Sequence, residues 1–449
     1  MKIEDLYDIF RKFPEITTDS RDVRENSIFF ALKGESFDGN NYAVESVRKG
    51  AAYAVIDSKM VYDNADGDVK DRLILTSDVL LTLQALANYH RCQLGTTIIG
   101  VTGTNGKTTT KELIAAVLSK KYKVLYTQGN FNNHIGVPKT LLRLTDEHQI
   151  AVVEMGANHP GEIKTLVNIV QPDYGIITNV GKAHLLGFGS FEGVIKTKGE
   201  LYDYLREDSG TVFINNDNEH LRKISTGLRL IRYGRGEDKE LLVRGELVSC
   251  NPFLTFTWNV CPSVYSPMEV KTRLVGAYNL DNALAAACVG TLFAVSPEDI
   301  SDAIREYIPS NNRSQLVKTE DNSLVVDAYN ANPTSMAAAL ENFRLMTVQH
   351  KMAVLGDMKE LGNVSLTEHE NVIKSLLNSD FEMVCLVGDE FRKAAETIDE
   401  AFFTNNRHFL SFKDVNALTD YLKDNKPKGM TILIKGSNST HLTDAVGCF

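Results

Sequence analysis

Cysteine is scarce and unpaired in this sequence: six residues in 449 (Cys92, Cys250, Cys261, Cys288, Cys385 and Cys448), with no CxxC pair. That excludes a disulfide scaffold or a thiolate metal knuckle and suits reduced thiols in a cytoplasmic protein. No apolar run reaches the ~18 residues that a bilayer span requires. The N-terminal stretch MKIEDLYDIFRKFPEI has acids inside its apolar pattern, so it is not expected to act as a signal peptide. A long basic run is also missing and the net charge is −10, which argues against a nucleic-acid partner. Low-complexity tracts and short-period repeats are absent as well. What remains, 43% hydrophobic and 24% charged residues, is the composition of a globular protein. The length suggests about three domains at ~150 residues each.

The pattern divides the chain into three α/β regions. Residues 1–95 alternate short strands and turns: SIFFAL (27–32), the polar turn KGESFDGNN, AAYAVID (51–57), then a helical stretch, DVLLTLQALANYHRCQ. Residues 96–310 open with the strand TTIIGVT, a glycine-containing loop and the helix TKELIAAVLSKK. In that helix Leu113, Ile114, Val117 and Leu118 share one face, and Lys111, Glu112, Lys120 and Lys121 are expected to face away. The strands KVLYT, AVVEM, GIITNV and GTVFIN then alternate with helices, the signature of βαβ units and a parallel sheet. Residues 240–275 read as a β-rich insertion and NLDNALAAACVGTLF as a helix. Residues 311–449 repeat the α/β pattern with strands SLVVDA, MAVLGD, MVCLVGD and TILIKG, as in a doubly wound, Rossmann-like domain. Ligands of such sheets bind at the carboxyl ends of the strands.

The segment GVTGTNGKTTTKE (100–112) departs from the common phosphate-loop pattern by one position. Val101 stands where a glycine is usual, five residues before Gly106. The context of strand before and helix after is nevertheless right. Gly103 and Gly106 allow the backbone N–H groups to converge on phosphate oxygens. Lys107 offers an ammonium to the outer phosphates and Thr108 a hydroxyl to Mg²⁺. Glu154 at the end of AVVEM stands at a neighbouring strand end, where a carboxylate can reach the metal that Thr108 touches, the bland alternative being a Glu facing water. His184 in the loop GKAH stands at a third, and a lone histidine is more often structural or solvated. Lys196 and Lys198 read as a wet helix face on composition. The clusters GNFNNHIGVP (Asn130, Asn132, Asn133) and DAYNANP (Asp327, Asn330, Asn332) suit either turns or polar recognition.

GTNGKT followed by a strand-end acid and a histidine resembles the central signature of the Mur ligase family of peptidoglycan synthesis. The similarity runs over nearly the whole chain. TTDSRDVRENSIFFALKGESFDGNN, GNFNNHIGVPKTLL, NVGKAHLLGFGSFEGVIKTKGE, DAYNANPTSM and VLGDMKELG look like the members that attach D-alanyl-D-alanine. The resemblance implies an ATP-dependent amide ligase whose loop is shortened in this way. Its domains would be a UDP-sugar-binding domain (1–95), an ATP-binding domain (96–310) and a dipeptide-binding domain (311–449). ATP would phosphorylate the terminal carboxylate of UDP-N-acetylmuramoyl-tripeptide, and the dipeptide amine would attack the acyl phosphate.

By the same resemblance Gly103, Thr104, Asn105, Gly106, Lys107, Thr108 and Thr109 would bind ATP, with Asn279 and Asn282 at its adenine end. Arg313 and Asp327 would reach the nucleotide on closure. Thr108, Glu154, His184 and a carbamylated Lys198 would hold two Mg²⁺ ions, making Lys107, His184 and Lys198 the catalytic set. Ser20, Arg21, Lys33 and Gly34 would take the UDP group and Asn132 and Asn133 the muramoyl-peptide. Tyr329, Asn330 and Asn332 would take the dipeptide. A cytoplasmic monomer is expected. Near the C-terminus IKGSNST has Asn438 where the family more often has arginine after KGS, and Lys435 is the nearby cation. Two rivals stay open on sequence: another Mur-type or folylpolyglutamate-type amide ligase, and an ATP-driven switch acting on a partner.

Overall fold

The computed structural model describes residues 1–262, 266–309, 314–377, 379–399, 401–406 and 408–449. By compactness they form two units. One joins Met1–Gly100, Tyr122–Met155 and Lys164–Asp173; the other joins Val101–Lys121, Gly156–Ile163 and Tyr174–Phe449. Among the described residues no helix is long and apolar enough to cross a membrane.

In the first unit, β1 (Ile16–Thr17), β2 (Ile28–Phe30), β3 (Tyr53–Ile56) and β4 (Leu73–Leu75) form a four-stranded sheet in chain order. All its pairings are parallel. Phe29, Ala31, Val47, Ala54 and Ile56 fill its core. The helix Val79–Gln93 starts where expected because the Asp78 carboxylate accepts from the Leu81 N–H at 2.8 Å. A helix that the pattern did not announce, Ile3–Lys12, buries Leu6 and Phe10. His90 lies against it, with Nδ1 3.3 Å from the Tyr7 hydroxyl and Nε2 2.9 Å from the Leu144 carbonyl. β5 (Thr97–Thr102), β6 (Val124–Tyr126) and β7 (Ile150–Glu154) follow in the order β5–β7–β6.

In the second unit β8 (Tyr174–Ile177), β9 (Thr211–Asn215), β10 (Arg229–Gly234) and β11 (Leu241–Cys250) lie side by side, with β8–β9, β9–β10 and β10–β11 parallel. β12 (Phe253–Val260) and β13 (Met268–Val275) continue antiparallel, so the expected insertion is a meander. The helix Lys107–Ser119 packs on the helices Asn279–Leu292 and Pro297–Glu306. That double covering corrects the expectation for Lys111: it is fully buried, 3.4 Å from the Glu112 carboxylate, which also accepts from the Tyr307 hydroxyl. Lys120 and Lys121 are exposed as expected.

The C-terminal sheet has six strands in the order β14–β15–β19–β16–β17–β18: β14 (Gln315–Lys318), β15 (Ser323–Asp327), β16 (Lys351–Gly356), β17 (Met383–Val387), β18 (Phe409–Phe412) and β19 (Thr431–Lys435). Only β14 is antiparallel to its neighbour. Alternation sends Val325, Ala353, Leu355, Val384 and Leu433 into one core. Leu324, Val326, Val354, Cys385 and Ile434 enter the other. Both faces are therefore covered, as a doubly wound sheet requires. Burial pushes the Cys385 thiol up to about 12, so it packs as an inert apolar group.

His369, on the helix Ser365–Leu376, is fully buried beside this sheet. Its Nε2 accepts from the Met358 N–H at 3.0 Å and its Nδ1–H donates to the Ser365 carbonyl at 2.7 Å. Burial lowers its pKa, against the opposing pull of Asp357 and Glu390. The neutral ring belongs to the folded state, so its contribution is complete above the ordinary imidazole value near ~6.5 and is lost as pH falls below it. The unfolding free energy from urea titrations should therefore decline on acidification by up to about 1.4 kcal/mol per pH unit for this one proton. His369→Gln should flatten that decline. An equal slope in wild type and variant would exclude His369 as its source.

Candidate active site

β5 stays buried through Thr102, and Val101 is a fully buried strand residue rather than part of the turn. The missing glycine is explained by this geometry, because the chain does not leave the strand until Gly103. Gly103 has φ +139°, and a Cβ there would collide with the Thr178 hydroxyl. Gly106 has φ +78°, and its Cβ would lie 2.6 Å from Asn282 Oδ1. Both conformations suit glycine alone.

The end of β8 and the residues after it hold the loop in place. The Thr104 N–H donates to the Asn179 carbonyl at 2.9 Å and the Asn105 N–H to Asn179 Oδ1 at 3.0 Å. In return Asn179 Nδ2 donates to the Asn105 carbonyl at 2.9 Å, and Thr178 Oγ1 donates to it at 2.6 Å. Asn179 was not singled out in the sequence, where it reads as one more residue of GIITNV. Behind the loop, Asn282 Oδ1 accepts from the Thr110 hydroxyl at 3.0 Å and its Nδ2 donates to Asn279 Oδ1 at 2.9 Å. These two asparagines, expected at the adenine, are buried and brace the first turn of the helix.

That helix, Lys107–Ser119, directs its positive end and its first N–H groups toward the loop. Thr108 is buried and Thr109 half-buried. Lys107 Nζ donates to the carbonyls of Gly103 at 2.8 Å and Thr104 at 3.1 Å, so its ammonium lies over the loop. The arrangement is one that receives phosphate oxygens.

Of the sequence candidates in the C-terminal part of the chain, Asn332 reaches the same loop. Asn332 caps the helix Pro333–Leu345, accepting from the Ser335 N–H at 2.9 Å, and donates Nδ2–H to Asn105 Oδ1 at 2.8 Å. Asp327, at the end of β15, accepts from Lys435 Nζ at 2.6 Å and from the Ser314 N–H at 3.3 Å. Lys435 is thus engaged and buried, and does not stand in for the arginine missing at Asn438, which is exposed. Tyr329 is half-buried, and Asn330 is exposed with its Oδ1 on the Ala331 N–H at 2.9 Å. Arg313 lies outside the described residues.

His184 has a left-handed backbone, φ 51°, and its Nδ1 meets the Glu360 carboxylate. Burial lowers its pKa, with Glu360 acting in the opposite direction. Lys198, expected on composition to be wet, is 2% exposed, while Lys196 is exposed. Lys198 Nζ donates to the Ala157 carbonyl at 3.2 Å and lies 5.3 Å over the Phe188 ring. Burial, reinforced by Lys107, drives its pKa far below that of an ordinary lysine.

In the first unit Glu154 is buried at the end of β7 and accepts from Asn132 Nδ2 at 2.8 Å. Asn133 is a turn residue: its Oδ1 accepts the N–H groups of Ile135 at 3.1 Å and Gly136 at 2.8 Å. Lys33 pairs with Asp57 at 2.8 Å, and the Gly34 N–H donates to the Phe37 carbonyl at 2.9 Å. Ser20 is half-buried, and the exposed Arg21 is bound by the Asp19 carboxylate at 2.9 and 2.7 Å.

Within the second unit, the Thr108 hydroxyl and the His184 imidazole are of the donor types that suit Mg²⁺ when phosphate oxygens and water complete its shell. Among the described residues no three His, Cys, Asp or Glu side chains converge into a cage that would hold an ion by protein alone.

Family profiles described as "Mur ligase family, catalytic domain", "Mur ligase middle domain" and "Mur ligase, glutamate ligase domain" match residues 12–91, 101–290 and 312–438. The chain is 35% identical to the UDP-N-acetylmuramoyl-tripeptide–D-alanyl-D-alanine ligase of Bacillus subtilis (strain 168) over 434 residues, 96% of this chain and 92% of that one. A crystal structure of MurF from Acinetobacter baumannii aligns with a TM-score of 0.83 at 30% identity, covering 96% of this chain and 92% of that one. A MurF ligase from Thermotoga maritima in complex with ADP aligns with a TM-score of 0.84 at 26% identity, covering 100% and 98%.

Proposed function

This chain belongs to the Mur ligase family, and on that premise we propose that it links D-alanyl-D-alanine to UDP-N-acetylmuramoyl-tripeptide with cleavage of ATP. The observation that carries the reading is the clamped GTNGKT loop, touched by Asn332 from the DAYNANP segment. One protein thus brings a phosphate site and a candidate dipeptide segment together.

A carboxylate is a poor electrophile, and phosphorylation gives it a leaving group. A terminal carboxylate oxygen of the tripeptide attacks the γ-phosphorus, and ADP departs. The dipeptide amine then attacks the acyl carbon, a tetrahedral intermediate forms, and phosphate leaves with the amine losing its proton. Lys107 turns from the loop carbonyls to the transferring phosphoryl group, where a fixed cation offsets developing charge. Thr108, Glu154, His184 and a carbamate on Lys198 would hold Mg²⁺, which would supply further neutralisation when bound. Holding both substrates removes much of the entropic barrier.

The remaining assignments follow the family resemblance. Gly103, Thr104, Asn105, Gly106 and Thr109 cradle ATP, Asn279 and Asn282 shape its adenine end, and Arg313 and Asp327 reach it on closure. Ser20, Arg21, Lys33 and Gly34 take the UDP group, Asn132 and Asn133 the muramoyl-peptide, and Tyr329, Asn330 and Asn332 the dipeptide. The working domains are 1–95, 96–310 and 311–449, and the enzyme acts in the cytoplasm, where its six free cysteines stay reduced.

Phosphate release from Mg-ATP and UDP-N-acetylmuramoyl-tripeptide, with and without D-alanyl-D-alanine, tests the reading. Release that needs all three, with a pentapeptide product by mass, is the expected result. Release without the dipeptide, or none with it, would sink the substrate assignment.

A further inference from the structure

The loop that carries His184 is gripped on both sides of that residue by groups from the C-terminal part of the second unit. The Lys182 N–H donates to Thr334 Oγ1 at 3.2 Å, and Lys182 Nζ pairs with Glu368 at 2.8 Å. Glu368 is 12% exposed, so this ion pair is partly sheltered. Glu360 does more: its carboxylate meets His184 Nδ1, and its carbonyl accepts from the Leu186 N–H at 3.1 Å. Side chain and main chain of one residue thus fix the loop at 184 and again at 186.

Two features separate this contact from an ordinary surface pair, which contributes little. Both His184 (φ 51°) and Glu360 (φ 63°) have left-handed backbones, a conformation that non-glycine residues hold only when their surroundings impose it. The bond also selects the Nδ1–H tautomer, since a carboxylate accepts only from a protonated ring nitrogen, and that leaves a lone pair on Nε2.

We propose that Glu360 is a positioning residue: it orients the His184 imidazole so that Nε2 is presented to the divalent cation accompanying ATP. The proposal rests on the assignment of His184 to the metal given above. Glu360 lies in the VLGDMKELG segment of the third domain, so the imidazole is fixed only while that domain is docked on the loop. The nucleotide site then acquires its full affinity for the cation upon docking, through one carboxylate. Outer partners of metal-binding histidines typically change metal affinity by about 10- to 100-fold.

The test uses the full chain with Mn²⁺ as the probe, titrated by electron paramagnetic resonance in the presence of a non-hydrolysable ATP analogue. Glu360→Ala should weaken Mn²⁺ binding by about 10- to 100-fold. It should raise the Mg²⁺ concentration needed for half-maximal activity while leaving the KM for UDP-N-acetylmuramoyl-tripeptide in place. Glu360→Gln, whose amide oxygen still accepts from Nδ1–H, should recover much of the affinity. Glu360 is 53% exposed at its side chain, so both variants are expected to fold. His184→Ala is the parallel arm. Weakened Mn²⁺ binding in His184→Ala with none in Glu360→Ala overturns the positioning role alone. Unchanged binding in both overturns the metal assignment of His184, and the proposal with it.

Discussion

Lys198→Ala should lower the ligation rate by on the order of 10²- to 10³-fold, the range seen when one preorganised electrostatic group is removed from a reacting centre. The physical ground is the burial of a lysine amine at 2% exposure, with a carbonyl and an aromatic face as its near neighbours. An ammonium there is heavily penalised, and Lys107 adds to the penalty. A neutral amine keeps its lone pair and can attack the carbon of CO₂; loss of one proton then leaves a carbamate. That converts a misplaced cation into an anion suited to Mg²⁺. Two measurements separate this from a packing effect. Lys198→Met restores most of the lost volume and should be as inactive as Lys198→Ala, with an unchanged melting temperature. Wild-type protein equilibrated with ¹³C-bicarbonate should show a carbamate carbon signal that Lys198→Met lacks. A Lys198→Met enzyme of near-normal rate would remove Lys198 from the mechanism.

Asp327→Ala should destabilise the C-terminal sheet by about 3–5 kcal/mol, the usual consequence of stripping one partner from a buried ion pair. Asp327 and Lys435 stand directly opposite in the parallel β15–β19 pairing, and Lys435 is 1% exposed at its side chain. Without the carboxylate, a buried ammonium keeps only a marginal 3.5 Å approach to the Asn330 carbonyl. Asp327→Asn, which retains an oxygen acceptor, should lose less. The double variant Asp327→Ala with Lys435→Met should regain stability, because it leaves no unpaired charge. Thermal melts of the three variants decide the matter. If Asp327→Ala melts like wild type and only its ATP affinity falls, the residue serves the nucleotide alone and its structural role is refuted.

Long periodic elements were legible in the sequence. The strand–loop–helix unit at 96–121, the helix Asn279–Leu292 and the four parallel strands at the centre of the last sheet all appear near their expected positions. The short strands β1, β14 and β18 were not. Lys111 shows a second limit. Local pattern assigns a helix one wet face, but tertiary packing covered two sides of this one, and a lysine went inside with its neighbouring glutamate. The chemistry of GKTT could be read from residue types, because a phosphate loop is a local object. The clamp by Asn179 and the grip of Glu360 on His184 could not, since each joins positions far apart in sequence and neither residue type announces a partner.

The close approach at Gly103 also constrains how this enzyme can vary. The space that a side chain would need there is already filled by the Thr178 hydroxyl, which in turn anchors the Asn105 carbonyl. Neither position is then free to drift by itself. A side chain at 103 would face both that hydroxyl and a left-handed backbone, so losing the hydroxyl would relieve only one obstacle while loosening the loop. Gly103 and Thr178 should therefore be inherited together.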